Sequence, residues 1–173
     1  MKTKIKVILI EWLLFSILIL GSSFHKPQQS IDCDSLIDTT LNSGKMYFYI
    51  EKYCEQYDVP KHMVYNMAFK ESSYKGPLDS TYKHNLVSST GALGPMQIVS
   101  STANFIMKKK IDKYQLRNNI ALNIEVSVKL LSYLHNQYNN WLKVGGCYNT
   151  GRPIVNGYAK YVVNNLDYKN KWE

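Results

Sequence analysis

Hydrophobic and polar positions divide the chain into a short apolar run, a polar stretch and a long region of helical periodicity. The run Val7–Leu20 is interrupted by Glu11 and followed by Gly21-Ser22-Ser23. Residues 24–42 are polar and read as a linker or loosely packed arm. From Gly44 onward the spacing turns helical. Tyr47, Ile50, Tyr53, Cys54 and Tyr57 recur at steps of three or four, which predicts a helix over 46–57. Asp58-Val59-Pro60 punctuates it, with Pro60 placed to open the next helix and Asp58 or Val59 to cap it. Met63, Val64, Met67 and Ala68 form the apolar stripe of that second helix.

The segment 75–95 is rich in Gly, Pro, Ser, Thr and Asn and predicts a long loop, with room for a small hairpin in 75–90. A short helix is expected at Met96–Ile98 and another from Ser100, as N-cap, to Lys109. Asn118 or Asn119 opens the longest helix, whose buried face carries Ile120, Ile124, Val128, Leu131, Leu134 and Tyr138. Trp141–Asn149 and Gly157–Asn165 complete the set. No convincing alternation of period two occurs, so the predicted class is mainly α with an irregular, loop-rich side. The expected organisation is residues 1–23 as a leader, 24–43 as a linker, 44–168 as a single domain and 169–173 as a tail.

The leader changes the picture. Lys2, Lys4 and Lys6 precede the apolar run, giving a basic start, an apolar middle and a small-residue end, the pattern of a signal peptide. The run is shorter than the ~20 residues of a spanning helix. An uncleaved N-terminal anchor is the alternative, and only then would the membrane be a partner. The net charge of +8 suits an anionic polymer by long-range attraction. It would equally suit nucleic acid, but export argues against nucleic acid as a partner. Lys108-Lys109-Lys110 reads as a solvated helix end. Cys33, Cys54 and Cys147 are odd in number, so at least one stays unpaired; Cys33 and Cys54 are the first pair to consider. Their spacing fits no zinc pattern, so neither a metal nor a cofactor is expected. Cys147 sits in an apolar context, as a small core residue would.

Glu71 is the anomaly of its helix. At about 100° per residue it falls about 20° from Val64 and about 40° from Met67, within the apolar stripe. Burial raises a carboxyl pKa, and the helix C-terminal dipole acts in the same direction. A carboxylic acid that stays protonated near neutrality can protonate a glycosidic oxygen. Periodicity alone leaves open a Glu that bends into water or pairs with Lys70 or Lys75.

The stretches Glu71-Ser72-Ser73-Tyr74, Ser88-Ser89-Thr90-Gly91-Ala92-Leu93-Gly94-Pro95-Met96-Gln97-Ile98, Thr102-Ala103, Asn123-Ile124 and Cys147-Tyr148-Asn149-Thr150-Gly151 come in one order. That ordered set resembles the Slt-type lytic transglycosylases, relatives of goose-type lysozymes. The resemblance spans about 46–165 and implies a lysozyme-like single domain with a loop-rich substrate groove. Pro95, Ser100, Ser127 and Gly145-Gly146 depart from the family pattern without removing a proton-transfer group.

By that resemblance Glu71 would be the catalytic acid, then base. Ser88 and Gly91 would line the groove, Met96 would pack beneath the sugar, and Gln97 would hydrogen-bond the glycan. Tyr148 would sit near the Glu71 carboxyl, and Asn149 would hold the surrounding loop. The implied partner is peptidoglycan in the periplasm or cell envelope. Service to a secretion, conjugation or phage apparatus that spans the envelope is compatible with it. Paired-carboxylate glycosidases hold their two acids about 5 to 9.5 Å apart, and here only Asp79 lies near Glu71 in sequence. The expected reaction is therefore non-hydrolytic, leaving 1,6-anhydro ends. The rivals are a hydrolase in which Asp79 positions water, and a catalytically idle wall-binding protein whose 14 tyrosines stack on sugars.

Overall fold

The computed structural model describes residues 41–168, all within the compact unit Asp34–Glu173. The leader, most of the linker, Cys33 and the tail expected from the sequence lie outside the described residues. Seven helices follow one another among the described residues: α1 (Asn42–Tyr57), α2 (Lys61–Ser72), α3 (Ser100–Met107), α4 (Lys113–Asn118), α5 (Ile120–Tyr138), α6 (Trp141–Thr150) and α7 (Gly157–Asn164). No helix among the described residues is long and apolar enough to cross a membrane. The mainly α class expected from the periodicity is the observed one.

α1 lies along α5, and α7 bridges α2 and α6. α2 runs through the middle of this arrangement. Six consecutive residues, Met63 to Ala68, are buried, so α2 is enclosed nearly all round rather than on one stripe. The buried Asn66 satisfies its amide on the far end of α7, donating to Val162 O and Asn165 O at 3.2 and 2.6 Å. Tyr74 leaves α2 into the core and donates to Ser43 O at 3.0 Å, while Ser43 Oγ donates to Pro77 O. The chain after α2 is thereby fastened to the first turn of α1.

Several local expectations need correction. Asp58 does not cap α2. It takes a left-handed conformation (φ 53°) and closes α1, and Pro60 occupies the N-cap position of α2. Ser100 is the first helical residue of α3, with Val99 at its cap. No helix forms at Met96–Ile98. Positive φ at Gly94 and Gln97 (73° and 50°) breaks any helical run. The segment instead folds back through isolated bridges, Val87 to Leu93 and Leu93 to Ile98. α4 was not apparent from periodicity. It is six residues long, and Asp112 caps it by accepting from Gln115 N. Asn119 does open the longest helix, accepting from Leu122 N.

Candidate active site

Glu71 stands in the last turn of α2, partly shielded from solvent. The helix ends at the next residue, and Ser73 caps it in a left-handed conformation (φ 58°). Among the described residues Glu71 has no ion pair. Lys70 instead lies over the Tyr161 ring, 4.2 Å from its centroid. Among the described residues the one hydrogen bond to the carboxyl comes from Tyr158, whose hydroxyl donates to Oε1 at 2.6 Å. Burial pushes the Glu71 carboxyl above its ordinary 4.5, and the Tyr158 bond pulls it partly back. No carboxylate contributes to that shift.

Tyr158 was not singled out by sequence. Its position follows from α7, whose N-cap Asn156 accepts from Ala159 N at 2.8 Å and so fixes the first turn. Asn156 also donates to Asn149 Oδ1 at 3.1 Å, tying that turn to the end of α6. Glycines bring the two helices close. A Cβ on Gly146 would lie 1.6 Å from Ile154 O, and one on Gly145 3.2 Å from Ala159 Cα. The Gly145-Gly146 pair that departs from the family pattern is therefore what lets the chain before α7 lie against α6. The signal available in sequence was a tyrosine one residue into a capped helix, since a buried tyrosine hydroxyl needs a partner.

Tyr148 approaches the site from α6. Its hydroxyl donates to Met96 O at 2.6 Å, and Glu71 adds to the effect of burial in holding its ionisation far above the ordinary range. It thus feels the Glu71 charge while its proton is committed to the 94–97 turn. Ser127, on α5, lies beside the same hydroxyl.

The turn is held from α5 by Asn123. This buried amide donates to Leu93 O and Leu116 O, both at 2.9 Å, and accepts from Met96 N at 2.9 Å. Gly94 fits above it with φ 73°, where a Cβ would meet Asn123 Nδ2 at 2.5 Å. Gln97 donates to Gly94 O at 2.8 Å and is half-buried. Met96 is 0% exposed, so its side chain belongs to the core and its polar contacts are made by its backbone. Ser88 organises the preceding bend, accepting from Ala92 N and pairing with Thr90 Oγ1. Gly91 is exposed at φ 81° with open space around it.

The structure therefore joins Glu71, Tyr158, Tyr148 and the Met96 carbonyl through hydrogen bonds and charge. Ser88, Gly91 and Gln97 shape the adjoining loop, and Asn149 acts on the site through Asn156. Asp79 is turned to its own loop, where its Oδ1 accepts from Thr81 N and Oγ1 at 2.9 and 2.6 Å. Tyr53, Tyr65, Tyr74 and Tyr82 are core residues, so many of the tyrosines pack with one another rather than face a ligand. Cys54 is a free, buried thiol pushed up to about 12 by burial. Cys147 is free and partly buried. No group of three or more His, Cys, Asp or Glu that could hold a metal occurs among the described residues.

The family described as transglycosylase SLT domain matches residues 48–171. A solved structure of an inactive glutamate-to-glutamine mutant of the lytic transglycosylase Slt from Pseudomonas aeruginosa is similar, with a TM-score of 0.52 and 16% identity. The similarity covers 73% of this chain and 22% of that one, so the chain spans under a quarter of that enzyme's length. No curated protein matches the chain. The fold is the mainly helical, lysozyme-like one of that neighbour. The family match extends over well more than half of the sequence and takes in every helix of the site, and the chain belongs to the transglycosylase SLT domain family.

Proposed function

We propose that this protein is a peptidoglycan lytic transglycosylase that works with one carboxyl group, Glu71. The observation that carries the reading is the isolated, partly buried Glu71 carboxyl, raised by burial and held by the Tyr158 hydroxyl. In the first step Glu71 protonates the oxygen that links N-acetylmuramic acid to N-acetylglucosamine, and that C–O bond breaks. The Glu71 carboxylate then takes the proton of the muramic acid 6-hydroxyl, whose oxygen bonds to the anomeric carbon. Nucleophile and electrophile belong to one sugar, so proximity replaces a bound water. The product is a 1,6-anhydro end, and Glu71 finishes protonated.

Tyr158 suits both halves of this cycle. It donates to one carboxyl oxygen and leaves the other for the sugar, and it stabilises the carboxylate formed after the first proton transfer. The goose-type hydrolase reading needs a second group to activate water. Asp79 is spent on Thr81, and its carboxyl is held below its ordinary range by those bonds, which favours the non-hydrolytic route. An active site in the periplasm or cell envelope follows from the substrate, and the basic N-terminal leader supports export. Mass spectrometry of muropeptides released from purified peptidoglycan tests the proposal. Anhydro ends are the expected product, and reducing muramic acid ends would show hydrolysis instead.

A further inference from the structure

We infer that a second glycan-binding groove lies between α3 and α5, on a face separate from Glu71. The inference rests on the proposed action on peptidoglycan. Phe105 and Tyr133 line it as a packed pair, edge to face with centroids 5.4 Å apart. They stand 61% and 41% exposed. Ser132, Asn136, Lys108 and Lys129 line it beside them. The cavity of about 470 Å³ is in the size range of small-ligand sites.

The placement on α5 separates this groove from the candidate active site. Asn123 and Ser127 face the 94–97 turn and Tyr148. At about 100° per residue, Lys129, Ser132, Tyr133 and Asn136 leave the helix on roughly the opposite side. A contiguous pair of exposed aromatic rings outside the core suits a recognition surface. Here the rings are accompanied by an amide, a hydroxyl and two ammonium groups, and by no carboxylate among the lining residues. Aromatic faces suit the C–H surface of a sugar ring, and the amide and hydroxyl suit its hydroxyl and N-acetyl groups. Lys129 is paired with Glu125 at 2.9 Å, so the net positive rim comes from Lys108 and the adjoining exposed Lys109 and Lys110. That charge complements the carboxylates carried by peptidoglycan strands. A groove of this kind would keep the protein on its polymer between cuts.

The test is co-sedimentation of the full chain with purified sacculi, in a Glu71→Gln background so that the polymer is not consumed. Adding Phe105→Ala and Tyr133→Ala should weaken sedimentation at least tenfold, and Lys108→Glu alone severalfold. With Glu71 intact, the same double variant should cleave short soluble glycan at the parental rate. Sedimentation unchanged in the double variant would overturn the inference, as would a parallel loss of activity on short glycan. Unchanged sedimentation with loss of self-association or of a protein partner would assign the face to protein docking. Failure of the parent to yield anhydro ends from short glycan would remove the proposed activity, yet the contrast in sedimentation would still be read.

Discussion

The Tyr158 hydroxyl meets Glu71 Oε1 at 2.6 Å, joining the first turn of α7 to the last turn of α2 across 87 positions of sequence. This contact places a neutral donor on a carboxyl that burial keeps above its ordinary pKa. A charged partner would have stabilised the carboxylate far more strongly and removed the acid needed for the first proton transfer.

Glu71→Gln keeps the size and burial of the side chain and removes its proton. Activity should fall by about 10² to 10⁴, the range of general acid–base catalysis, with the helical circular dichroism spectrum unchanged. Release of anhydro-muropeptides at the parental rate would remove Glu71 from the mechanism.

Loss of the Tyr158 donor has a direction. Its bond lowers the Glu71 pKa, so Tyr158→Phe should raise it. The alkaline limb of the pH–rate profile, where the protonated acid is lost, should move to higher pH. The maximal rate should drop about tenfold as the carboxyl loses its orientation, a part of the acid–base contribution. A profile superimposable on the parent would deny Tyr158 this part.

Stability should depend on pH through the same group. The folded pKa of Glu71 lies above its unfolded value of about 4.5. Its contribution is therefore full below that value and lost as pH rises through the folded pKa. Glu71→Gln should then unfold at a higher temperature than the parent at pH 7, with the difference closing below about pH 4.5. Equal melting temperatures at pH 7 would mean that the carboxyl is not strained there.

Asn123 offers a test of the loop. Asn123→Ala removes the side-chain partner of Leu116 O and Met96 N, while Leu93 O keeps the Ile98 N–H at 3.0 Å. At about 1–3 kcal/mol for each of the two groups left unpaired, the unfolding free energy in urea should fall by about 2 kcal/mol or more. The freed turn also carries the carbonyl that holds Tyr148, so activity should fall at temperatures where the variant is still folded.

Gly146→Ala tests the α6–α7 contact. Its Cβ would fall 1.6 Å from a backbone oxygen, a clash that no rotamer can relieve. The start of α7 should shift, and the Tyr158–Glu71 bond should break. Activity should fall at least tenfold, and a crystal structure should show the displacement. Full activity would show that the chain before α7 yields freely.

Much of this was legible along the chain. The helical repeat of apolar positions and the flanking turn residues placed α1, α2, α3, α5, α6 and α7, although α2 is buried nearly all round rather than on its apolar stripe alone. The same periodicity put Glu71 among apolar neighbours, and the order of the short motifs pointed to the family. Periodicity failed at Met96–Ile98 and at α4. There, positive φ at Gly94 and Gln97 and a single capped turn decide the path, and neither leaves an apolar repeat to read.

The sequence by itself determined most of the helices and set one carboxyl on an apolar stripe, since both depend on neighbours within a few residues. Only the tertiary structure decided that Tyr158 touches that carboxyl, that the Tyr148 hydroxyl donates to Met96 O, and that Asn123 holds the 94–97 turn. Those pairings depend on how closely α6 and α7 approach and on where the 94–97 turn sits over α5. That closeness is set by the absence of side chains at Gly94, Gly145 and Gly146, whose effect appears only when distant segments are brought together.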